Sequence, residues 1–99
     1  MIVAFSISPT STSDDGSVTE AVAEAVRVVR DSGLPCETNS MFTNIEGEWD
    51  EVMAVVKQAV DVVAASSPRV GLVLKADIRP GFSSQLTAKV ERINKALER

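Results

Sequence analysis

Strict two-residue alternation near both ends of the chain is the feature that most limits how this sequence folds. From Met1 to Ser8, every second residue has a large apolar side chain, and these side chains share one face of a β-strand. The segment from Arg69 to Arg79 alternates in the same way and predicts the longest strand. Pro9 and the pair Pro80-Gly81 end these segments, because proline has no N–H to donate to a neighbouring strand. The sequence therefore predicts a first strand over Met1 to Ser8 and a last strand over Arg69 to Arg79.

Three segments repeat their apolar residues at the spacing of an α-helix. The first is predicted over about Val18 to Ser32, after a capping-box pair formed by Ser17 and Glu20. The second begins in the acidic segment 48–51, where carboxylates favour a helix start, and ends before Pro68. The third follows the last strand and predicts a terminal helix. Its apolar stripe consists of Leu86, Val90, Ile93 and Leu97.

A hairpin is predicted between the first two helices. Cys36 to Asn39 and Met41 to Glu46 form its strands, with the turn at Asn39-Ser40. The order is then β-α-β-β-α-β with an additional C-terminal helix. Two βαβ units separated by a hairpin define the ferredoxin-like sandwich, an α+β fold with an antiparallel four-stranded sheet and two helices on one face. We predict one such ligand-binding domain over residues 1–99.

The other face of a ferredoxin-like sheet has no helical cover, which favours assembly of several copies. Ile2 and Ala4 are expected to face the helices, and Ser6 and Ser8 then either have a structural role or open a cavity at the end of the first strand. The polar loop 10–16 follows that strand and is placed to close over the cavity. The residues expected on the uncovered face are Val3, Phe5, Ile7 and Val73.

Composition excludes several classes of function. The formal net charge of −4, without a basic patch, disfavours nucleic acid and anionic membranes as partners. No apolar run is long enough to span a bilayer, and the first residues lack a signal-peptide pattern, so a cytoplasmic location is expected. A single cysteine, Cys36, and the absence of histidine argue against a disulfide, a metal site or an activated thiol.

Several polar or aromatic residues keep two interpretations. Lys75, Asp77 and Arg79 share one face of the last strand and form either a solvated row of ion pairs or an anchor for a polar ligand or a subunit. Glu46 is either a helix-entry acid or a carboxylate for an aminated ring. Trp49 is either a core or interface residue or a platform for a ligand.

At the hairpin and the following helix start, the segment Ser40-Met-Phe-Thr-Asn-Ile-Glu-Gly-Glu-Trp-Asp-Glu-Val52 resembles the YkoF-like family of small thiamine-binding proteins. Lys75-Ala-Asp-Ile-Arg79 and Lys89-Val-Glu91 are similar to motifs of that family, as is the opening strand with its serines and proline. The resemblance covers nearly the whole chain in order. It implies a ferredoxin-like fold, homo-oligomers (dimers or tetramers) assembled through sheets, and binding of thiamine or its pyrimidine part without turnover.

The resemblance also implies a binding site around the first strand and the hairpin. Thiamine is a cation with an aminopyrimidine ring, so carboxylates and hydroxyls suit its polar groups and apolar side chains such as Ile7 suit its rings. No catalytic residue, metal or cofactor is expected. A structural or regulatory homo-oligomeric module without a ligand, or a small enzyme using a carboxylate or lysine, stays open as an alternative. The expected site residues are Ser6, Ser8, Met41, Phe42, Thr43, Glu46 and Asp77.

Overall fold

The computed structural model describes residues 1–10 and 18–98. Its strands form one antiparallel sheet in the order β2-β3-β1-β4. The predicted ferredoxin-like sandwich with an additional C-terminal helix is therefore confirmed. Ser17, of the predicted capping box, and most of the polar loop lie outside the described residues. The elements are β1 (Ile2–Pro9), α1 (Thr19–Asp31), β2 (Cys36–Thr38), β3 (Thr43–Glu46), α2 (Trp49–Ala64), β4 (Val70–Asp77) and α3 (Gln85–Leu97).

The core lies between the sheet and helices α1 and α2. Val3 and Phe5 of β1 and Ile45 of β3 supply its sheet side, and α1 contributes Ala25 and Val29. The apolar stripe of α2 is rich in valine and buried, and packing on the sheet stabilises β-branched residues that would weaken an isolated helix. That stripe consists of Val52, Val55, Val56, Ala59 and Val63.

The predicted assignment of the two sheet faces is wrong for β1. Val3 is 0% and Phe5 3% exposed, and both face the helices. The opposite face of β1 carries Ser6 and Ser8, and the fold buries the face with the larger apolar side chains because burial free energy grows with apolar area. Val73 was assigned correctly. It pairs with Ser6 in the register of β1 and β4 and is 59% exposed. The open face thus carries the residues of β1 that were expected under the helices.

The hairpin turn is longer than predicted. The side-chain oxygen of Asn39 accepts hydrogen bonds from the backbone N–H groups of Met41 and Phe42, at 2.9 and 2.8 Å. The Asn39 N–H in turn donates to the carbonyl of Phe42. Asparagine can replace the backbone as a turn acceptor in this way. Met41 and Phe42 therefore lie in the turn, and β3 begins only at Thr43.

A tight turn connects β4 to α3. Gly81 has a φ of 84°, and the N–H of Phe82 donates to the carbonyl of Arg79. Proline followed by a residue with positive φ is the pattern of a type II turn, which requires glycine at the second of these positions. The turn leads to α3, whose first residues contact Glu46 at the end of β3. No residue of α3 is buried in the single chain.

Candidate functional site

A cavity of about 170 Å³ opens between β1, α1 and the hairpin turn. Phe5 and Ile7 supply its lining from the sheet, and Val22 and Val26 supply it from α1. Val22 and Val26 belong to the apolar stripe predicted for the first helix, but they are less buried than Ala25 and Val29. The part of α1 nearest the hairpin turn therefore leaves a gap that the core does not fill.

The hairpin supplies the polar part of this cavity. The hydroxyls of Thr38 and Thr43 lie 3.2 Å apart and share a hydrogen bond. Each threonine hydroxyl can donate once and accept twice, so this pair keeps acceptor capacity for a ligand. Asn39 and Ser40 complete the polar lining. None of the described lining residues carries a charge, and the cavity therefore suits an uncharged ring with hydrogen-bonding edges.

Two large side chains of the turn stand at the cavity. Phe42 is half-buried and lines it, and Met41 is 71% exposed. A flat aromatic side chain stacks on rings, and a thioether makes favourable contacts with aromatic edges. The volume is smaller than the roughly 300–1,000 Å³ of cavities that enclose whole drug-sized ligands. The cavity is large enough for one small ring.

The structure brings together four of the seven predicted site residues. Ser6, Met41, Phe42 and Thr43 all line the cavity. Ser8 is exposed opposite Gly71 and lines neither this cavity nor the one described next.

The other two predicted residues, Glu46 and Asp77, line a separate cavity of about 140 Å³ between the sheet and α3. They flank Ile2 in the sheet register. Ligand contact by any of the seven residues stays a prediction.

Glu46 holds the start of α3. Its carboxylate is buried, with the residue 5% exposed, and accepts the backbone N–H groups of Gln85 at 2.8 Å and Leu86 at 3.0 Å. Helices leave their first N–H groups without partners inside the helix. Ser84, at the N-cap position, has a φ of 56° and no capping side-chain bond. Glu46 therefore replaces a local cap from a distant strand.

Asp77 also binds α3. Its carboxylate accepts a hydrogen bond from the Lys89 ammonium at 2.6 Å, and this cation lowers the pKa of Asp77 below its usual value. The neighbouring Arg79 guanidinium lies 3.6 Å from the centroid of the Phe82 ring, within cation–π range. In the single chain, Asp77 at the end of β4 thus contacts α3. Arg79 contacts Phe82 in the turn that leads to α3.

We expect the Asp77 contact to stabilise the protein above about pH 4 and to be lost in acid. A carboxyl with a lowered folded-state pKa contributes stability that is complete above its unfolded value, near 3.9, and disappears as pH falls through the folded value. Asp77→Asn should therefore reduce the loss of melting temperature between about pH 4 and pH 2. The effect is small, since both partners are about half exposed.

Asp61→Asn is the matched control for this measurement, because Asp61 pairs with Lys57 on α2 and does not touch α3. Amide hydrogen exchange of α3 at several pH values locates the effect. Equal acid sensitivity of α3 in the wild type and in Asp77→Asn would contradict the assignment.

Together, the antiparallel sheet, its two covering helices and the ring-sized cavity define a ferredoxin-like domain with a candidate small-molecule site. Among residues 1–10 and 18–98, no cluster of three or more His, Cys, Asp or Glu side chains is arranged to hold a metal ion. None of the helices in this described part of the chain is both long and apolar enough to cross a bilayer.

The chain belongs to the thiamine-binding protein family, whose sequence model matches residues 3–94. This match confirms the predicted family resemblance. UPF0045 protein Mb1933 of Mycobacterium bovis is 52% identical to this chain, and the match covers 100% of this chain and 96% of the relative. The hypothetical protein MJ1052 of Methanocaldococcus jannaschii has a solved structure with a TM-score of 0.83 and 31% identity, covering 95% of each chain.

A further solved structure shares the fold. The protein TM0486 of Thermotoga maritima, which is named for thiamine biosynthesis or salvage, has a TM-score of 0.75 at 24% identity. The match covers 92% of this chain and 97% of the other. The family is named for binding a vitamin and not for a reaction.

Proposed function

We propose that this protein binds thiamine or a thiamine-related pyrimidine in the cytoplasm without converting it, in salvage, transport or sensing. The observation that carries the proposal is the cavity under the hairpin turn, in a chain that belongs to the thiamine-binding protein family. Its lining combines aromatic and aliphatic side chains with hydroxyls and one amide. This combination matches a flat heterocycle with an amino group and ring nitrogens.

The charge of the lining favours one part of thiamine over the other. The described lining residues include no carboxylate to pair with the cationic thiazolium ring and no cation to pair with a phosphate. The neutral aminopyrimidine ring needs only donors and acceptors, which Thr43 and Asn39 provide. We therefore place the pyrimidine in the cavity and the thiazolium nearer solvent.

Isothermal titration calorimetry of the purified protein tests this proposal. The ligands are thiamine, thiamine phosphate and hydroxymethylpyrimidine, with an unrelated cationic heterocycle as control. Micromolar or tighter binding of all three thiamine-related ligands is the expected result, with little difference between thiamine and its phosphate. Absence of heat and of a thermal shift with every ligand would refute the proposal.

Thr43→Val provides a test at the level of one residue. The substitution keeps the shape of the side chain and removes its hydroxyl, so we expect pyrimidine affinity to fall by about 1 kcal/mol, roughly fivefold. Thr87→Val is the matched control, because Thr87 is an exposed residue of α3 that does not line the cavity. Titration calorimetry measures both variants. Equal losses, or no loss in either, would remove the Thr43 hydroxyl from the site.

A second candidate function is a homo-oligomeric structural or regulatory module without a small ligand. The apolar stripe of α3 supports it, since Val90, Ile93 and Leu97 are more than half exposed in the single chain. Exposed apolar surface of this kind marks protein contacts. Assembly into dimers or tetramers is part of both proposals, so ligand titration is what separates them.

A further inference from the structure

The hairpin covers only part of β1. β1 pairs with β4 along its whole length, but its register with β3 ends at the pair of Phe5 and Thr43. Two residues further along β1, continuation of that register would place Met41 opposite Ile7. Met41 lies in the hairpin turn instead, and its N–H donates to the side chain of Asn39. Ile7 therefore has no partner strand on the hairpin side.

Two hydrogen bonds show in which direction the backbone groups of Ile7 point. The N–H of Thr10 donates to the carbonyl of Arg69, on the β4 side of β1. The N–H of Gly47 donates to the carbonyl of Met1, on the β3 side. In an antiparallel sheet, residues that bond to one neighbouring strand alternate with those that bond to the other. Even-numbered residues of β1 therefore bond toward β4, and the N–H and C=O of Ile7 point toward the hairpin.

These two backbone groups open into the cavity under the hairpin turn. Ser6 and Ile7 together form the peptide unit that carries this N–H, and both line the cavity. Within residues 1–10 and 18–98, no hydrogen bond joins Ile7 to a group on the hairpin side. Main-chain groups inside a protein nearly always find a partner. The cavity thus presents a donor and an acceptor that the fold leaves to a ligand.

The free section of β1 holds one donor–acceptor pair and no more. On the core side, the pair of Phe5 and Thr43 closes it. On the other side, the next residue that points toward the hairpin is Pro9, which has no N–H to donate. A strand of another chain would gain one complete pair here and would then meet the proline. A small ring with a donor and an acceptor side by side needs only that one pair.

An aminopyrimidine carries the complementary groups next to each other. In the pyrimidine of thiamine, ring nitrogen N3 accepts a hydrogen bond and the neighbouring 4-amino group donates one. The N–H and C=O of one extended residue point the same way, and their N and O atoms lie roughly 3 Å apart. The N–H of Ile7 can therefore donate to N3 while its carbonyl accepts from the amino group. One strand residue bonds to its neighbour across an antiparallel ladder in the same manner.

We propose that the main chain of Ile7 binds the N3 and 4-amino edge of the pyrimidine and makes this cavity selective for 4-amino over 4-oxo rings. The inference rests on the proposed function, and it names the class of ring that the cavity accepts and the groups that recognise it. The ring takes the place opposite Ile7 that Met41 would hold if β3 were longer.

The direction of β1 fixes how the ring lies. The N–H of Ile7 comes before its carbonyl along the chain and is nearer to the closed end at Phe5 and Thr43. N3 and the 2-methyl group then point to that end, and the amino group and the 5-substituent point toward Pro9. The 5-substituent carries the thiazolium, so this orientation agrees with a thiazolium outside the cavity. The opposite ring edge faces the hairpin, where the Asn39 amide nitrogen can donate because its oxygen already accepts two N–H groups.

Thiamine and its 4-oxo analogue are the matched ligands that test this proposal. They share the thiazolium charge and nearly the same shape, but the analogue has a donor at N3 and an acceptor at position 4. Turning the ring over would drive the thiazolium against the pair of Phe5 and Thr43. We expect titration calorimetry to show about 100-fold weaker binding of the analogue, because two hydrogen bonds become two contacts between like groups.

Amide exchange measured by NMR shows whether Ile7 is the residue that contacts the ring. Saturating thiamine should slow exchange of the Ile7 N–H by about tenfold or more, and the 4-oxo analogue should leave its exchange unchanged. The N–H of Phe5 is the internal control, because it belongs to the β1–β3 ladder and is protected with or without ligand.

The outcomes separate this inference from the proposed function. Equal affinity for thiamine and the 4-oxo analogue would overturn the selectivity and leave thiamine binding intact. A thiamine complex in which the Ile7 N–H exchanges as fast as in the free protein would overturn the role of its main chain. Absence of thiamine binding would overturn this inference and the proposed function together.

Discussion

Glu46→Ala is expected to lower the free energy of unfolding by about 2 kcal/mol and to release α3 from the sheet. The substitution removes the acceptor for the N–H groups of Gln85 and Leu86, which have no local capping side chain. Loss of a helix cap costs about 1 kcal/mol, and hydrogen bonds to a charged group contribute about 1.5–3 kcal/mol. Urea unfolding measures the change in stability, and hydrogen exchange of α3 shows whether the helix has detached.

The control for this result is Glu37→Ala, which removes an exposed carboxylate from β2 and leaves α3 untouched. We expect it to change stability by less than about 0.5 kcal/mol. Glu46→Gln should fall between the two, because an amide keeps one acceptor oxygen. A Glu46→Ala protein in which α3 exchanges as slowly as in the wild type would show that the carboxylate does not hold the helix.

The same variants test the prediction that Glu46 contacts the ligand. Glu46 lies outside the cavity under the hairpin turn, so Glu46→Gln should leave the pyrimidine affinity of the folded protein unchanged. Titration calorimetry at a temperature where this variant is fully folded decides the matter. A large loss of affinity there, with none in Thr43→Val, would move the binding site to the cavity beside α3.

Phe42→Ala is expected to weaken pyrimidine binding by about 1–3 kcal/mol, roughly 5- to 150-fold. Phe42 lines the cavity from the hairpin turn, and stacking of a base on an aromatic ring contributes this amount when it is measured by alanine substitution. The turn itself should persist, because Asn39 holds it through the backbone N–H groups of Met41 and Phe42. Titration calorimetry with hydroxymethylpyrimidine measures the loss.

Phe82→Ala is the matched control for Phe42→Ala. Phe82 is a more exposed ring at the other cavity, where it lies under the Arg79 guanidinium. We expect it to keep the wild-type affinity for the pyrimidine. If instead Phe82→Ala lowers the affinity and Phe42→Ala does not, the ring-binding cavity is the one beside α3.

Much of the fold follows from local patterns in the sequence. The alternation in β1 and β4 and the valine stripe of α2 each reflect contacts that repeat at a fixed period, so the sequence displays them directly. The choice between the two faces of β1 does not follow from the period. It follows from the apolar area on each face, which is larger for Val3, Phe5 and Ile7 than for the face that carries Ser6 and Ser8. The hairpin turn was predicted two residues too short because its end depends on one asparagine side chain.

The candidate site was predictable only in part, for a different reason. Met41, Phe42 and Thr43 are adjacent in sequence, and the family resemblance identified them together. Val22 and Asn39 were missed, since their place in the cavity depends on how α1 packs against the hairpin. The capping role of Glu46 joins residues 39 and 40 positions apart. The position of Glu46 at a strand end before Gly47 indicates a helix-entry acid or a ligand carboxylate, and not a cap for α3.

The central place of β1 in the sheet has a consequence for synthesis on the ribosome. β1 leaves the exit tunnel before the other strands of its sheet, yet it pairs along its whole length with β4, which is translated after both core helices. Until β4 emerges, one side of β1 has no partner in its own chain, while its apolar side chains are already exposed. The nascent protein therefore completes its sheet late, and this interval is when an unpaired β1 can associate with other chains.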